Sequence, residues 1–530
     1  MLRICAPTRL RLTLPLASLR LTVTCFAAFG GFLYGYDTGY IGGVKEMPWW
    51  LDQFGEFNAA QGKNVLSSGN SSLVTSILSV GTFFGALGAY PAGDALGRRW
   101  GIIAYLCLFA IGVALQTVGT TIPIFTVGRV FAGLGVGGTS CLVPMYQSEC
   151  APKSVRGLIV SAYQWMITIG LLIAAVIVNA TKDINGPACF RIPIGIQFAW
   201  AAILATGLAI FPESPRYLIM KGHEEKAQRA LSRILGAPVD SPEVMEEYAE
   251  IASNLHHERS LGKSTYLDCF RNNEGRYGLR MWTGIGIQAL QQLSGVNFIF
   301  YYGTTFFKQS GISNSFLITI ATSVVNVGMT IPGMLAVDRS GRRFLLLTGA
   351  VVMATSQLIV AIVGTIIGNG NAAGQKVLIA FVCIFIGAFA ATWGPMAWVV
   401  TGEIYPNAIR AKAMSMSTAS NWLLNFVIGY VTPYMVDSGP GNANLGAKVF
   451  FIWGGFCVIC FFFVYFCIPE TMGLSLEQVD ILYRNSSILK SNQFRKQILS
   501  ENIHDDTIEA YATQTKAGKG EAEHVEKRDF

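Results

Sequence analysis

Apolar residues fall in twelve runs, at 20–44, 71–92, 100–119, 122–146, 157–180, 191–212, 281–303, 314–336, 343–368, 376–402, 411–436 and 447–468. A helical run of roughly twenty residues crosses the ~30 Å hydrocarbon core of a bilayer. Polar residues collect between the runs, which divide as six, a charged segment, six more, then a polar tail. The pattern predicts an all-α membrane protein with twelve transmembrane helices in two six-helix halves, 20–212 and 281–468. The segment 213–280 carries Glu, Lys and Arg at helical spacing, as in Glu224, Glu225, Lys226 and Arg229. Residues 1–19 read as an N-terminal cytoplasmic tail and 469–530 as a cytoplasmic C-terminal tail, mostly disordered.

Composition narrows the class. Only 13% of the 530 residues are charged and 52% are apolar, whereas soluble domains carry about a quarter charged. A water-soluble enzyme is excluded, and 57 glycines without a three-residue period exclude collagen. The net charge of +7 sits in short clusters between apolar runs, which suits membrane topology better than a nucleic-acid face. One side of the membrane holds Arg98, Arg99, Lys153, Arg156, Arg339, Arg342, Arg343, Arg410 and Lys412. The other holds thinly spread lysines such as Lys45, Lys63, Lys182 and Lys308. The arginine-rich side is therefore expected to be cytoplasmic, with both termini on it. Arg3, Arg9, Arg11 and Arg20 before an apolar run could announce a signal or transit peptide. Without a small-residue cleavage pattern, the run reads instead as an uncleaved first span. The eleven cysteines lie mostly within spans and imply no disulfide framework. No nucleophile–base set, phosphate-binding loop or metal-ligand spacing is present, so neither an enzyme nor a cofactor or metal is expected.

The two halves repeat one another. Asp94 to Arg99 after span two, with Arg98 and Arg99, recurs as Asp338 to Arg343 after span eight, with Arg342 and Arg343. Glu149, Pro152 and Arg156 after span four recur as Glu403, Pro406 and Arg410 after span ten. Duplicated halves that rock about a midplane site are a transporter design. Acids and arginines at these helix ends suit a cytoplasmic gate that holds in one state and breaks in the other. The simpler reading makes them orientation anchors alone.

These motifs, with others, resemble the sugar porters of the major facilitator superfamily, and among them fungal hexose transporters. The resemblance spans about 25–482 and rests on Gly35-Tyr36-Asp37-Thr38-Gly39, Gly128-Arg129, and Pro144-Met145-Tyr146-Gln147-Ser148-Glu149. It continues in Pro212-Glu213-Ser214-Pro215-Arg216, Gln291-Gln292-Leu293-Ser294-Gly295-Val296-Asn297, Trp393-Gly394-Pro395 and Pro469-Glu470-Thr471-Met472-Gly473. It implies the major facilitator fold, a small cytoplasmic helical bundle at 213–280 latching the inner gate, and alternating-access transport of a monosaccharide such as glucose at the plasma membrane. Glu213 and Arg216 join the cytoplasmic gate. One departure is Ala95 after Asp94, where the family has a basic residue, as Arg339 after Asp338.

Two charges stand well inside the spans, Asp37 in span one and Arg129 in span four. An ionised side chain at the bilayer centre costs ~3 kcal/mol on insertion scales, so each needs a partner or a function. A static ion pair is one reading. A proton switch is the other: Asp37 takes a proton when apart from Arg129 and releases it when the cation closes on it. Proton-coupled family members carry an Asp and an Arg matching these positions, although some facilitators share the aspartate.

A sugar needs neutral amides for its hydroxyls and an aromatic wall for its apolar face. Gln288, Gln291 and Gln292 share one face of span seven, and a break at Gly295 is expected to turn Asn297 onto it. Gln164, Asn326, Asn421 and Asn425 add further amides. Amides can also merely glue helices together. In the family, residues matching Gln164, Gln291, Gln292, Asn297, Asn326, Trp398 and Asn421 bind sugar, with apolar contacts at positions matching Ile167 and Leu171. Trp393 is a rival wall or core. Tyr301 and Tyr302 read as an external gate or an interfacial belt, and Pro395 as a hinge. The Asn70-Ser71-Ser72 sequon lies at the membrane edge. The expected partners are a monosaccharide, a proton and the lipid bilayer, with no nucleic acid. Proton symport is the favoured reading, with a passive hexose facilitator or a non-transporting sugar sensor as alternatives.

Overall fold

The computed structural model describes residues 26–58, 63–150, 156–260, 265–309, 315–366, 372–406, 409–437, 441–474 and 476–501. The arginines before residue 26, Pro152, Lys153 and the chain beyond residue 501 lie outside the described residues. Among the described residues, nine helical stretches are long and apolar enough to cross a membrane. They are spans two (Ser68–Ala95), three (Arg98–Val118), four (Ile122–Cys150), five (Ser161–Thr181), six (Ala188–Ile210), eight (Ser315–Val337), nine (Arg342–Ile366), ten (Ala373–Ile404) and twelve (Gly446–Cys467). Span one (Phe29–Val44), span seven (Tyr277–Leu293 and Val296–Gln309) and span eleven (Arg410–Val436) complete the twelve. Span one is a helix of 16 residues and span seven is divided into pieces of 17 and 14, while span eleven, of 27 residues, carries Asn421 and Asn425.

Small residues set how closely the helices approach. A Cβ on Gly35 would lie 1.9 Å from the Ile167 carbonyl of span five, and one on Gly81 would lie 2.3 Å from the Val130 carbonyl of span four. Such contacts let backbones touch where the bilayer offers no hydrophobic drive for helix pairing. The halves meet where span two packs on span eleven and span five on span eight. The first of these seams is closed along its length. Ser76 faces Gly429 near one end, Ser79 Oγ donates to Asn425 Oδ1 (2.8 Å) midway, and Ser415 Oγ donates to the Ala86 carbonyl (2.8 Å) toward the other.

Span seven breaks at Ser294–Gly295, where Gly295 has φ +82° and any side chain would strike Trp453. The break in span ten is at Thr392 (φ −130°, ψ −83°), not at Pro395. Pro395 occupies the first turn of the second piece, where its missing N–H costs nothing. Between spans six and seven lie helices Pro215–Met220, Glu224–Leu235 and Pro242–Ser260, with a small core of Tyr217, Leu218, Ile219, Ala227 and Ala230.

Three features depart from the sequence reading. Residues 476–501, expected to be disordered, form helices Leu476–Asn485 and Ser491–Glu501 around Ile481, Leu482 and Ile498. Their few apolar residues are too sparse to register as a period, yet they bury together, and Asp480 pairs with the buried Arg280 (2.6 Å). The loop after span one forms helix Pro48–Phe54 and a hairpin pairing Glu56–Asn58 with Lys63–Val65. The sequon lies inside the first turns of span two, with Asn70 partly exposed and Ser72 wholly buried.

Candidate functional site

Asp37 and Arg129 face each other across spans one and four, both fully buried, at 3.5 Å. Tyr40, one turn after Asp37, accepts from Arg129 Nη1 at 3.1 Å and donates to Gln116 Oε1. Arg129 is thus held by a hydroxyl as well as by the carboxylate. Asp37 Oδ2 and Arg129 Nε and Nη2 have no hydrogen-bond partner in the protein. A buried pair so incompletely satisfied is poor as a structural brace. Tyr40 and Gln116 were not singled out in the sequence; only Tyr40's one-turn spacing from Asp37 could have suggested it.

The amides of spans seven and eleven form one network. Asn421 Nδ2 donates to Gln288 Oε1 (2.8 Å) and Gln291 Oε1 (2.9 Å), while its Oδ1 accepts from Gln292 Nε2 (2.8 Å). Asn297, carried round by the Gly295 break, donates to Gln292 Oε1. Asn425 Oδ1 accepts from Tyr301 Oη (2.9 Å), and Gln291 Nε2 reaches the Trp393 and Gly394 carbonyls of span ten (3.0 and 2.9 Å). Trp398 lies edge-on to Tyr163 at 6.0 Å, and Gln164 sits beside Gly394, so span five reaches the same region. Asn326 is buried with its Oδ1 unbonded. Ile167 and Leu171 pack along the glycines of span one. Trp393 resolves as core, since its indole donates to the Leu346 carbonyl of span nine (3.0 Å).

At the arginine-rich end the two halves repeat a cluster residue for residue. Arg98 pairs with Glu149 (2.9 Å), and Glu213 accepts from the backbone N–H groups of Arg98 and Arg99 (3.0 and 3.1 Å). Arg342 pairs with Glu403 (2.9 Å), and Glu470 accepts from the N–H groups of Arg342 and Arg343 (3.0 and 3.1 Å). Each carboxylate caps a helix N-terminus, where anionic charge is favoured. Ser214 donates to Glu149, and Thr471 donates to Glu403 (2.7 Å). Burial raises the Glu213 carboxyl above its ordinary pKa, against the lowering effect of the Ser214 and Arg99 N–H groups and of Arg98. Glu470 and Thr471 were missed as members of the cluster, although Pro469-Glu470-Thr471 echoes Pro212-Glu213-Ser214.

The expected gate residues join neighbouring helices: the Arg98–Glu149 pair lies within the first half and the Arg342–Glu403 pair within the second. Asp94 lies 3.6 Å from Lys221 of the linker, while Arg98 engages Glu149. Arg410 donates to the Gly402 carbonyl, and Arg216 lies in the first turn of the linker's first helix. The side chains of Arg156 and Asp338 lie outside the described set. Contact between halves at this end comes instead from Lys412 of span eleven over the Tyr90 ring of span two (4.9 Å), with Tyr266 of the linker edge-on to Tyr90 (6.1 Å).

At the opposite end Tyr302 Oη donates to the Gly429 carbonyl (2.6 Å), and Lys45 stands 3.6 Å over the Tyr302 ring while donating to Thr75 (3.3 Å). Tyr301 and Tyr302 are both buried, unlike residues of an interfacial belt.

Residues 23–483 match the family described as "Sugar (and other) transporter". A major facilitator-type transporter of Aspergillus rugulosus, ecdD, is 54% identical over 87% of this chain and 86% of its own length. The high glucose sensor RGT2 of Saccharomyces cerevisiae is 44% identical over 96% of this chain and 67% of its own. The probable glucose transporter rco-3 of Neurospora crassa is 47% identical over 87% and 78%. Among solved structures, the proton:xylose symporter XylE bound to 6-bromo-6-deoxy-D-glucose superposes with a TM-score of 0.75 at 27% identity, covering 88% of this chain and all of that one.

Proposed function

The chain belongs to the sugar transporter family, with the major facilitator fold, and from that premise we propose that it carries a hexose such as glucose across the plasma membrane by alternating access, in symport with a proton. The observation that carries the coupling is the fully buried Asp37–Arg129 pair with Asp37 Oδ2 unpartnered. Asp37 takes up a proton from outside while apart from Arg129 and yields it once the cation approaches, since a nearby cation favours the ionised carboxylate. Tyr40 keeps Arg129 in place while Asp37 is neutral. One charge moved through 100 mV supplies ~2.3 kcal/mol, sufficient for accumulation beyond tenfold. Both termini face the cytoplasm in this reading, with the Arg98–Glu149 and Arg342–Glu403 clusters stiffening each half at that face.

Sugar binds among Gln164, Gln288, Gln291, Gln292, Asn297, Asn326, Asn421 and Asn425, with Trp398 as its aromatic wall and Ile167 and Leu171 beside it. Tyr301 and Tyr302 close the outer side. Support comes from the probable glucose transporter and the proton:xylose symporter among the similar proteins. A second reading, a non-transporting glucose sensor, is favoured by the 44% identity to RGT2 over nearly the whole chain. A passive facilitator is the third.

Labelled glucose uptake in cells lacking hexose transport, recorded with external pH, separates the three. Symport gives uptake with external alkalinisation, collapsed by an uncoupler. Uptake without alkalinisation identifies a facilitator, and surface expression without uptake identifies a sensor. In the symporter, Asp37→Asn abolishes accumulation but retains sugar exchange; accumulation at the parental level would refute the proton role.

A further inference from the structure

Glu46 follows Lys45 at the outer end of span one, and its carboxylate reaches across to the other half. Its Oε1 accepts from Thr305 Oγ1 (2.6 Å) and its Oε2 from Lys308 Nζ (3.0 Å). The carboxylate is mostly shielded, at 16% exposure, while Lys308 is half exposed. Both partners lie on Val296–Gln309, the outer piece of span seven, one and two turns beyond Tyr302, which Lys45 covers. The three contacts at 302, 305 and 308 run along one helical face. At the other end of that piece is the Gly295 break, a left-handed residue with no continuous helix across it. A short helix hinged at one end and gripped along one face is a lever held by its grip.

We propose that Glu46 is an external latch: it ties the first half to the outer lever of span seven, and its release is required for the sugar path to open outward. Charge-assisted bonds to a shielded carboxylate are the strong kind, and losing one partner leaves the carboxylate poorly satisfied. Glu46 is a positioning residue and touches no sugar. The inference rests on alternating access, but its test needs no substrate, so its failure is distinguishable from failure of the transport reading.

Ser76 provides the reporter. It is buried opposite Gly429, and its hydroxyl has no hydrogen-bond partner, so S76C is a mild change. Labelling of the S76C thiol by a membrane-impermeant maleimide in intact cells reads outward opening, with the parent lacking S76C as the background. E46Q and K308Q each speed labelling by on the order of three- to tenfold, and the charge swap E46K/K308E returns it to within about twofold of the S76C parent. T305V, which keeps both charges, gives a smaller rise and guards against misfolding of the charge variants. Labelling of E46Q at the parental rate or slower, or a charge swap as fast as the single changes, overturns the latch.

Discussion

Asn421 satisfies three glutamines at once, from Gln288 and Gln291 to Gln292. Replacing it by Ala strands two carbonyl oxygens and one amide nitrogen among buried groups, each worth ~1–3 kcal/mol when unsatisfied. Asn421→Ala is therefore expected to lower kcat/KM for glucose at least about tenfold, a loss of roughly 1.4 kcal/mol or more, in initial-rate uptake normalised to surface protein. Residues of this kind were legible because a neutral amide in an apolar run is conspicuous. Glu470 was not, since a carboxylate just past the last span reads as ordinary tail polarity until its backbone partners, Arg342 and Arg343, are known. Tyr40 likewise hides among the aromatics of span one, because its role depends on which helix lies opposite.

At the scale of elements, the close seams give the sharpest expectation. Gly35→Ala would place a methyl 1.9 Å from the Ile167 carbonyl, whereas the same change at Gly328 in span eight meets nothing within 4 Å. Gly35→Ala should collapse the yield of folded protein and lower its melting temperature in detergent, while Gly328→Ala leaves both near the parental level or above. The twelve apolar runs revealed the spans, and Gly295 revealed the break in span seven because Asn297 needed it. The break in span ten was misplaced for a physical reason. Proline breaks a helix only where its N–H would have bonded, and Pro395 lies in a first turn, leaving Thr392 to absorb the bend. Helices Leu476–Asn485 and Ser491–Glu501 escaped notice because few apolar residues suffice: Ile481, Leu482 and Ile498 bury against one another, while Val479 and Tyr483 join the core of the membrane domain.

For the whole molecule, residues 476–501 of the tail are part of the folded body. Arg280 is 1% exposed, and its guanidinium meets Asp480 at 2.6 Å and the Tyr483 ring at 4.3 Å. Asp480→Asn leaves that cation without its carboxylate. Because Asp480 is itself partly exposed, the loss should be about 2 kcal/mol, below the 3–5 kcal/mol of a fully buried pair. It should appear as a lower thermal midpoint, and the R280M/D480N double variant should recover most of it. A midpoint unchanged in Asp480→Asn would mean that the pair contributes nothing. The seam between spans two and eleven bears on a different property. It is shut near Ser76 and Gly429, at Ser79 and Asn425, and at Ser415 and Ala86. A membrane that stores ~2.3 kcal/mol per elementary charge per 100 mV is a charged capacitor, and any pore with a continuous thread of water would discharge it. Contacts at three successive depths shut this seam against such a thread, and a membrane holding the protein without substrate is expected to show no added leak current.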